Sequence, residues 1–413
     1  MKKRVVITGA GVLTPVGNSV PETWSALLEG KSGIGPITVI DASKHDTRIA
    51  GEIKGFDPLE VLDKKEARRI PRFIQYALKA AKEALESSGL DLEKVNRDNV
   101  AVLVGSGIGG INVTEEQHTI LMEKGPSRVS PFLIPLLIPN MASAFISLKH
   151  GLRGPNFCIV TACATGSHSI GEAFRMIVRG EADIALAGGS EGAITPLGLA
   201  GFCSAKSLSC RNDDPTHACR PFDKDRDGFV MADGAGIVVL EPLEAALARG
   251  ANILAEIVGY GASNDAFHMT SPPENGEGGA LAMKKALADA GIKPEEVQYI
   301  NAHGTSTLIG DIAETRGIKS VFGEHAKKLM ISSTKSMTGH MLGGTGAVEL
   351  IVAALSTKHN VVHPTVNLDN PDPLCDLDYV PKVKREAEVT YALSNSFGFG
   401  GHNASLIVKK FVK

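Results

Sequence analysis

Cys163 lies in the run Ile159-Val160-Thr161-Ala162-Cys163-Ala164-Thr165-Gly166-Ser167, where an apolar strand pattern gives way to small residues and a helical pattern begins at about Cys163. A cysteine at a helix start faces unpaired backbone N–H groups and the positive end of the helix dipole, which favour thiolate over thiol. That is a nucleophile's setting. Most free cysteines are small buried fillers, and the local sequence alone does not separate the two readings. Two histidines shift the balance: His303 in Asn301-Ala302-His303-Gly304-Thr305-Ser306-Thr307, and His340 in Lys335-Ser336-Met337-Thr338-Gly339-His340. Each stands at a strand end followed by small residues. Either alone reads as a hydrogen-bonded structural histidine. A cysteine with histidines far away in sequence is the layout expected when catalytic groups are gathered from separate strand ends.

The elements that must position these groups occur twice. Residues 84–90 followed by a strand pattern at 100–104 read like residues 286–292 followed by 297–302: a helix, a glycine stop, then a buried strand. Residues 157–161 before Cys163 likewise correspond to 329–333 before Lys335, each strand feeding a helix, and 236–240 and 405–408 read as closing strands. Strands alternating with helices, twice over, predict two packed α/β halves. The expected division is 1–250, carrying the nucleophile, and 251–413, carrying both histidines.

Composition bounds the function. The chain has 413 residues, 43% hydrophobic, with 45 glycines, enough for a large core and more than one domain. A net charge of -3 gives no overall basic surface, so nucleic acid is excluded as the expected partner. Six cysteines in a chain of this length point to thiols in a reducing compartment, and no charged region followed by a long apolar stretch opens the chain; a cytoplasmic protein is expected. Residues 129–148 carry no charge, but Pro131, Pro135 and Pro139 would break a spanning helix, so a buried or subunit-interface segment is expected and no membrane span. Cys203, Cys210, His217 and Cys219 match no common zinc spacing. The glycine run at 105–110 lacks the acidic residue that a dinucleotide site needs about 20 positions on.

TACATG around Cys163, NAHGTST around His303, KSMTGH ending at His340 and SNSFGFGGHN from Ser394 to Asn403, in this order and spacing, resemble the β-ketoacyl-acyl-carrier-protein synthases, most closely the free-standing bacterial synthase II group. The resemblance runs from Val5 almost to the last residue. It implies a thiolase-like fold, two pseudo-twofold related α/β halves in a layered αβαβα architecture, with Cys163 and both histidines at their interface. It implies fatty acid chain elongation: Cys163 takes an acyl chain as a thioester, malonyl carrier protein decarboxylates, and the enolate attacks that thioester. The backbone N–H groups of Cys163 and Phe399 would serve the oxyanions of acyl transfer and condensation. His303 and His340 would donate through Nε2 to the malonyl thioester carbonyl, with Lys335 orienting the pair and helping to hold the thiolate.

The same resemblance places Ile108 in the acyl tunnel wall with Phe202 beside it, and Leu133 or Ile134 arriving from a second subunit, which makes a homodimer part of the site. Thr305 and Thr307 map to the pantetheine channel, and Thr270 to a flexible loop at its mouth. The acyl carrier protein is acidic and needs a basic patch; Lys65, Arg68, Arg69 and Arg72 fall at i, i+3, i+4, i+7, one face of a helix that Pro71 either interrupts or ends by starting the next, which would bend the face. No cofactor is expected. Glu349, among Ala, Val, Leu and Ile, is expected to be buried and to demand a partner; by resemblance it joins the Asn301 and Ala302 backbone and Asn395 around a structural monovalent cation. The chain departs from the family at Ala164, where a hydroxyl residue is frequent, and at His402, where Thr is usual. Two alternatives are weaker. A coenzyme A-dependent thiolase needs a second cysteine in the C-terminal glycine loop, and 394–403 has none; a non-catalytic chain-length-factor-like partner subunit lacks the nucleophile, which is present here.

Overall fold

The computed structural model describes residues 3–412. Its main sheet is built from β1 (Val5–Leu13), β2 (Val100–Gly105), β3 (Ile184–Glu191), β4 (Gly234–Pro242), β5 (Ala255–Asn264), β6 (Tyr299–Asn301), β7 (Met330–Ser332), β8 (Tyr391–Gly398) and β9 (His402–Lys409). The order across it is β2-β3-β4-β1-β5-β9-β8-β6-β7. In each half the outer strands run parallel, β2 with β3 and β6 with both β7 and β8, while the closing strands β4 and β9 are antiparallel to their neighbours. The buried parallel strand β2 reads in sequence as an unbroken apolar run, as both-face burial requires. The halves join where β1 pairs antiparallel with β5, Val5 opposite Ile257.

Taken from their outer edges, β7-β6-β8-β9-β5 in the second half matches β2-β3-β4-β1 in the first, with one strand short. Residues 156–160 fill that edge position without forming a strand. The Val102 N–H donates to the Pro155 carbonyl at 2.9 Å and Phe157 N–H donates back to Val102 at 3.3 Å, after which the chain leaves the sheet edge for the Cys163 turn. The strand predicted at 157–161 is thus a single bridge and an extended run, with Phe157 and Val160 exposed because the chain offers nothing beyond that edge.

Five helices matter for the site: α1 (Arg72–Ser88), α2 (Thr165–Arg179), α3 (Glu277–Ala290), α4 (Gly310–Phe322) and α5 (Thr345–His359). α1 packs on β1 and β4, and α3 on β5 and β9, so these form outer layers. Each ends at a left-handed glycine, Gly89 at φ 62° and Gly291 at φ 68°, the two stops visible in sequence. Between the two sheet halves lie α2 and α5. Every residue of α5 from Thr345 to Thr357 is buried, which is why its sequence is apolar all round rather than striped.

α2 and α5 meet at their N-terminal turns. A Cβ on Gly166 would stand 2.9 Å from the Ala347 amide nitrogen and 3.0 Å from the Gly343 carbonyl oxygen, and one on Gly346 would stand 2.7 Å from Ser396 Oγ. Residues 129–148 fold as two short helices, Leu133–Leu137 and Met141–His150, separated at Pro139. Among the described residues no helix is long and apolar enough to cross a membrane. The crossing of α2 and α5 gives the first prediction: Gly346→Val lowers stability by about 1–3 kcal/mol, the usual cost of overpacking a closed contact, seen as a drop in the thermal unfolding midpoint.

Candidate active site

Cys163 sits in a 3-10 turn, Ala162–Ala164, that runs straight into α2. Ala162 is held at φ 49°, a conformation that a side chain disfavours. Local bonds fix it: Thr161 N–H donates to Thr165 Oγ1 at 2.9 Å and Ala164 N–H to the Thr161 carbonyl at 3.1 Å. The turn between β8 and β9 brings Phe399 across from it; Gly398 lies so close that a Cβ there would be 3.1 Å from the Cys163 nitrogen. The backbone N–H groups of Phe399 and Cys163 both point at the thiol. Gly400 and Gly401, at φ 83° and 74°, make that turn. It is tied to the 265–269 loop by Gly400 N–H to the Met269 carbonyl at 2.7 Å and Asn403 Nδ2 to Asp265 Oδ1 at 2.6 Å.

The N–H groups at the helix start favour the thiolate, with the expected sign, but burial of the sulfur opposes them. Burial pushes the Cys163 thiol up to about 12; Lys335 and the two N–H groups pull it down and Glu191 pushes it up further, but burial dominates. Cys163 is half-buried as a residue, so solvent reaching it through the cavity softens this cost. At neutral pH the group is a thiol.

His303 and His340 approach with ring centroids 5.4 Å apart and planes at 84°. Burial lowers both imidazoles well below their usual range, Lys335 lowers them further, and His340 adds to the effect on His303. Both are therefore neutral at pH 7. Thr345 Oγ1 lies 3.1 Å from His340 Nδ1; with the hydroxyl donating, the ring proton sits on Nε2, where it is free to donate. His303 is held from behind by Glu314 on α4, whose carboxylate accepts its backbone N–H at 2.9 Å and that of Gly304 at 2.8 Å.

Lys335 is fully buried and bonds Glu349 Oε1 at 2.7 Å, so the acid expected to need a partner has one. Burial raises Glu349 to about 7 against the pull of Lys335. Its second oxygen, Oε2, has no partner among the described residues, and neither do Asn301 Oδ1 and Ser394 Oγ, all buried. Asn395 gives its Nδ2 to Glu314 Oε1 at 3.1 Å and takes Ser405 Oγ at 2.8 Å. A carboxylate, an amide oxygen and a hydroxyl left over in one buried region are the hard oxygen donors that suit a small cation.

These groups open on a cavity of about 490 Å³ whose lining includes Cys163, His303, His340, Ile108, Phe202, Phe399, Thr270, Thr305 and Thr307. Leu133 and Ile134 do not line it; Ile134 projects outward, 60% exposed. The basic face is rearranged. Lys64–Ala67 is a single helical turn, and Pro71 starts α1 afresh, so Lys65, Arg68 and Arg69 remain exposed while Arg72 turns inward to the Ile194 carbonyl at 2.6 Å and to Asp233 at 3.5 Å. Arg69 stacks 4.2 Å above the Phe132 ring. Sequence reasoning missed Glu314 and also Asp311, whose carboxylate accepts the Phe222 N–H at 2.8 Å and the Ser306 N–H at 3.2 Å. Both fall at α4 positions that share a face with Ile318 and Phe322, and acids on an otherwise apolar stripe were the available signal.

Because the Lys335 charge pulls the Cys163 thiol down, Lys335→Met is expected to move the pH profile of Cys163 alkylation to higher pH. A profile displaced upward by about one pH unit slows the reaction at fixed pH about tenfold, because the thiolate fraction falls by that factor. Iodoacetamide kinetics across pH measure it, and an unmoved profile refutes the coupling.

Comparisons with known proteins agree with this geometry. The sequence family described as β-ketoacyl synthase, N-terminal domain, matches residues 2–246, and the β-ketoacyl synthase C-terminal domain matches residues 254–369. The 3-oxoacyl-acyl-carrier-protein synthase 2 of Synechocystis sp. is 55% identical over 410 residues, 99% of each chain, and that of Staphylococcus aureus is 55% identical over 409 residues, again 99% of each. Among solved structures, a β-ketoacyl synthase from Burkholderia phymatum superposes with a TM-score of 0.93 at 37% identity, covering 99% of this chain and 100% of that one. A type II polyketide ketosynthase in complex with its acyl carrier protein gives 0.92 at 34%, covering 100% of both chains. With the thiolase-like fold, both domain signatures and identity of this extent, the chain belongs to the β-ketoacyl synthase family.

Proposed function

We propose that this protein lengthens fatty acyl chains by decarboxylative Claisen condensation, as an acyltransferase of the 3-oxoacyl-acyl-carrier-protein synthase 2 type. The observation that carries the reading is the convergence of two backbone N–H groups on Cys163 with a neutral histidine pair on the same cavity. In the first step the Cys163 sulfur attacks the thioester carbonyl of an acyl carrier protein. The oxyanion forms against the Cys163 and Phe399 N–H groups, and the carrier's thiol departs with the proton that Cys163 gives up. Malonyl carrier protein then enters through Thr305 and Thr307. Its C–CO2 bond breaks, CO2 leaves, and the electron pair becomes an enolate held by the Nε2–H groups of His303 and His340. The enolate carbon attacks the Cys163 thioester, and collapse returns Cys163 as thiolate, reprotonated from solvent, with 3-oxoacyl carrier protein as product.

Lys335 serves this scheme as a fixed charge that adds to burial in keeping both imidazoles neutral and eases loss of the thiol proton. Asn301, Glu349 and Ser394, with the Ala302 and Asn395 backbone, would hold a structural monovalent cation that neutralises Glu349 Oε2. A cytoplasmic homodimer is the proposed form, its halves of 1–250 and 251–413 both needed for one site. Support for the dimer is the exposed apolar set Phe132, Ile134, Leu148, Phe157 and Val160 along the open sheet edge and the 129–148 segment, with Leu133 or Ile134 closing the partner's tunnel. Ile108 and Phe202 form the tunnel wall, and Lys65, Arg68 and Arg69 receive the acidic carrier protein.

The reading is tested with purified enzyme on carrier-bound substrates. Cys163→Ala abolishes condensation and keeps malonyl decarboxylation. His303→Ala or His340→Ala loses decarboxylation by about 10²–10³-fold, the cost of one oxyanion donor. Condensation by Cys163→Ala, or normal decarboxylation in both histidine variants, refutes it. For docking, Arg68→Glu raises the Michaelis constant for carrier-bound substrate and flattens its salt dependence, with little change on an acyl-pantetheine mimic; equal loss on both substrates removes the patch from docking.

A further inference from the structure

The turn that carries Cys163 has a second copy. Ala162 holds φ 49° and Leu342 φ 45°. Each opens a 3-10 turn, Ala162–Ala164 or Leu342–Gly344, that runs into Thr165 or Thr345 and then Gly166 or Gly346. Gly343 therefore occupies in the second half the place of Cys163 in the first. In the first copy, N–H groups converge on a thiol; in the second they converge on a carboxylate that the chain supplies itself.

That carboxylate is Glu191, the last residue of β3 as Gly398 is the last of β8. It is fully buried. Oε2 accepts from Gly107 N–H at 2.8 Å and Gly343 N–H at 3.0 Å, and Oε1 accepts from Ser106 Oγ at 2.7 Å and Ile108 N–H at 3.2 Å. Ser106 Oγ accepts in turn from Gly109 N–H at 3.0 Å, so its own hydrogen is free for Glu191. Burial raises the acid's pKa and these donors lower it; four donors converging on two oxygens match the ionised form. The clamp is closed on both sides: a Cβ on Gly107 would lie 2.9 Å from Oε2, and one on Gly343 would lie 2.6 Å from the Gly107 nitrogen. Ile108, whose backbone the clamp holds, packs with Cys163, Phe202 and Leu342 in one apolar cluster.

We propose that Glu191 is a positioning residue for acyl-chain selection: by pinning the Gly107 and Ile108 backbone to Gly343, it holds the Ile108 side chain against Cys163 and Phe202 at the tunnel wall. The proposal rests on the reading of Ile108 as that wall. Short acyl chains end in front of Ile108, while longer ones must displace it together with the backbone that Glu191 holds. Decarboxylation of malonyl carrier protein uses the histidine pair and does not depend on the wall.

The test is acyl transfer to Cys163 in the full-length enzyme, followed by intact-protein mass spectrometry with acyl carrier protein thioesters of increasing length. Glu191→Gln keeps the shape, loses the charge and sets an amide N–H against backbone donors. The ratio of long-chain to short-chain transfer is expected to rise by about tenfold, the scale of charge-assisted bonds lost, with malonyl decarboxylation retained. A wild-type ratio overturns the proposal, as does equal loss at every length together with loss of decarboxylation. Ser106→Ala removes one donor and keeps the charge; it shifts the ratio the same way by less, and where Glu191→Gln fails to fold, an unshifted ratio in Ser106→Ala overturns the proposal. Ile108→Ala separates the premise: an unchanged ratio there sinks the tunnel reading, whereas a raised ratio there with none in Glu191→Gln sinks the clamp alone.

Discussion

The close backbone approach at the molecule's centre governs the rest. α2 and α5 begin as two copies of one turn, and a pseudo-twofold arrangement brings those turns into contact. Gly166 faces Gly343 and Ala347, Gly346 faces the Ser167 and Ser396 hydroxyls, and those hydroxyls bond each other at 2.8 Å. Only residues without a Cβ permit this. Because the helices cannot separate, Cys163 at one start and His340 just ahead of the other are carried to the same cavity, and Thr345 at the first position of α5 is placed to bond the His340 ring. The site is located where the fold's symmetry compresses the backbone.

A second constraint is electrostatic. Lys335 and Glu349 are both fully buried, and removing two charges from water is costly unless they pair closely, as these do at 2.7 Å. The lysine charge acts on three functional groups at once: it favours ionisation of Cys163 and disfavours protonation of His303 and His340. Glu314 and Glu191 are likewise buried, but their oxygens are bound by backbone N–H groups of the site itself. These two acids hold backbone.

What the sequence made legible follows from locality. Unbroken apolar runs identified the buried strands, and glycines identified the ends of α1 and α3, because both signals lie within one element. Cys163, His303 and His340 were singled out from their short contexts and from the family resemblance, and the fold brings all three to one cavity. What depends on distant neighbours was not legible. Residues 157–161 have strand composition, yet laddering depends on what lies beyond the sheet edge. Arg72 has helical spacing from Lys65 and Pro71 marks the break, yet Asp233, to which Arg72 turns, lies far off in sequence. Glu191 is 152 residues from Gly343 in sequence, and nothing in either neighbourhood announces the bond.

The protonation states fit one another and the proposed chemistry. Beside Cys163 the cavity wall is formed by Phe202, Phe229, Phe397, Phe399 and Ile108, a poor solvent for standing charge, and the thiol and two imidazoles there are neutral at rest. Charge appears only as thioester carbonyls become oxyanions and malonate becomes enolate. At those moments N–H groups already in place are worth more than they would be in water, since no reorganisation is needed and little screening competes. The Lys335–Glu349 pair is buried behind these groups, where the lysine biases their ionisation. An apolar chain and an anionic intermediate can then share one pocket, because beside Cys163 the stabilising polarity resides in oriented backbone dipoles.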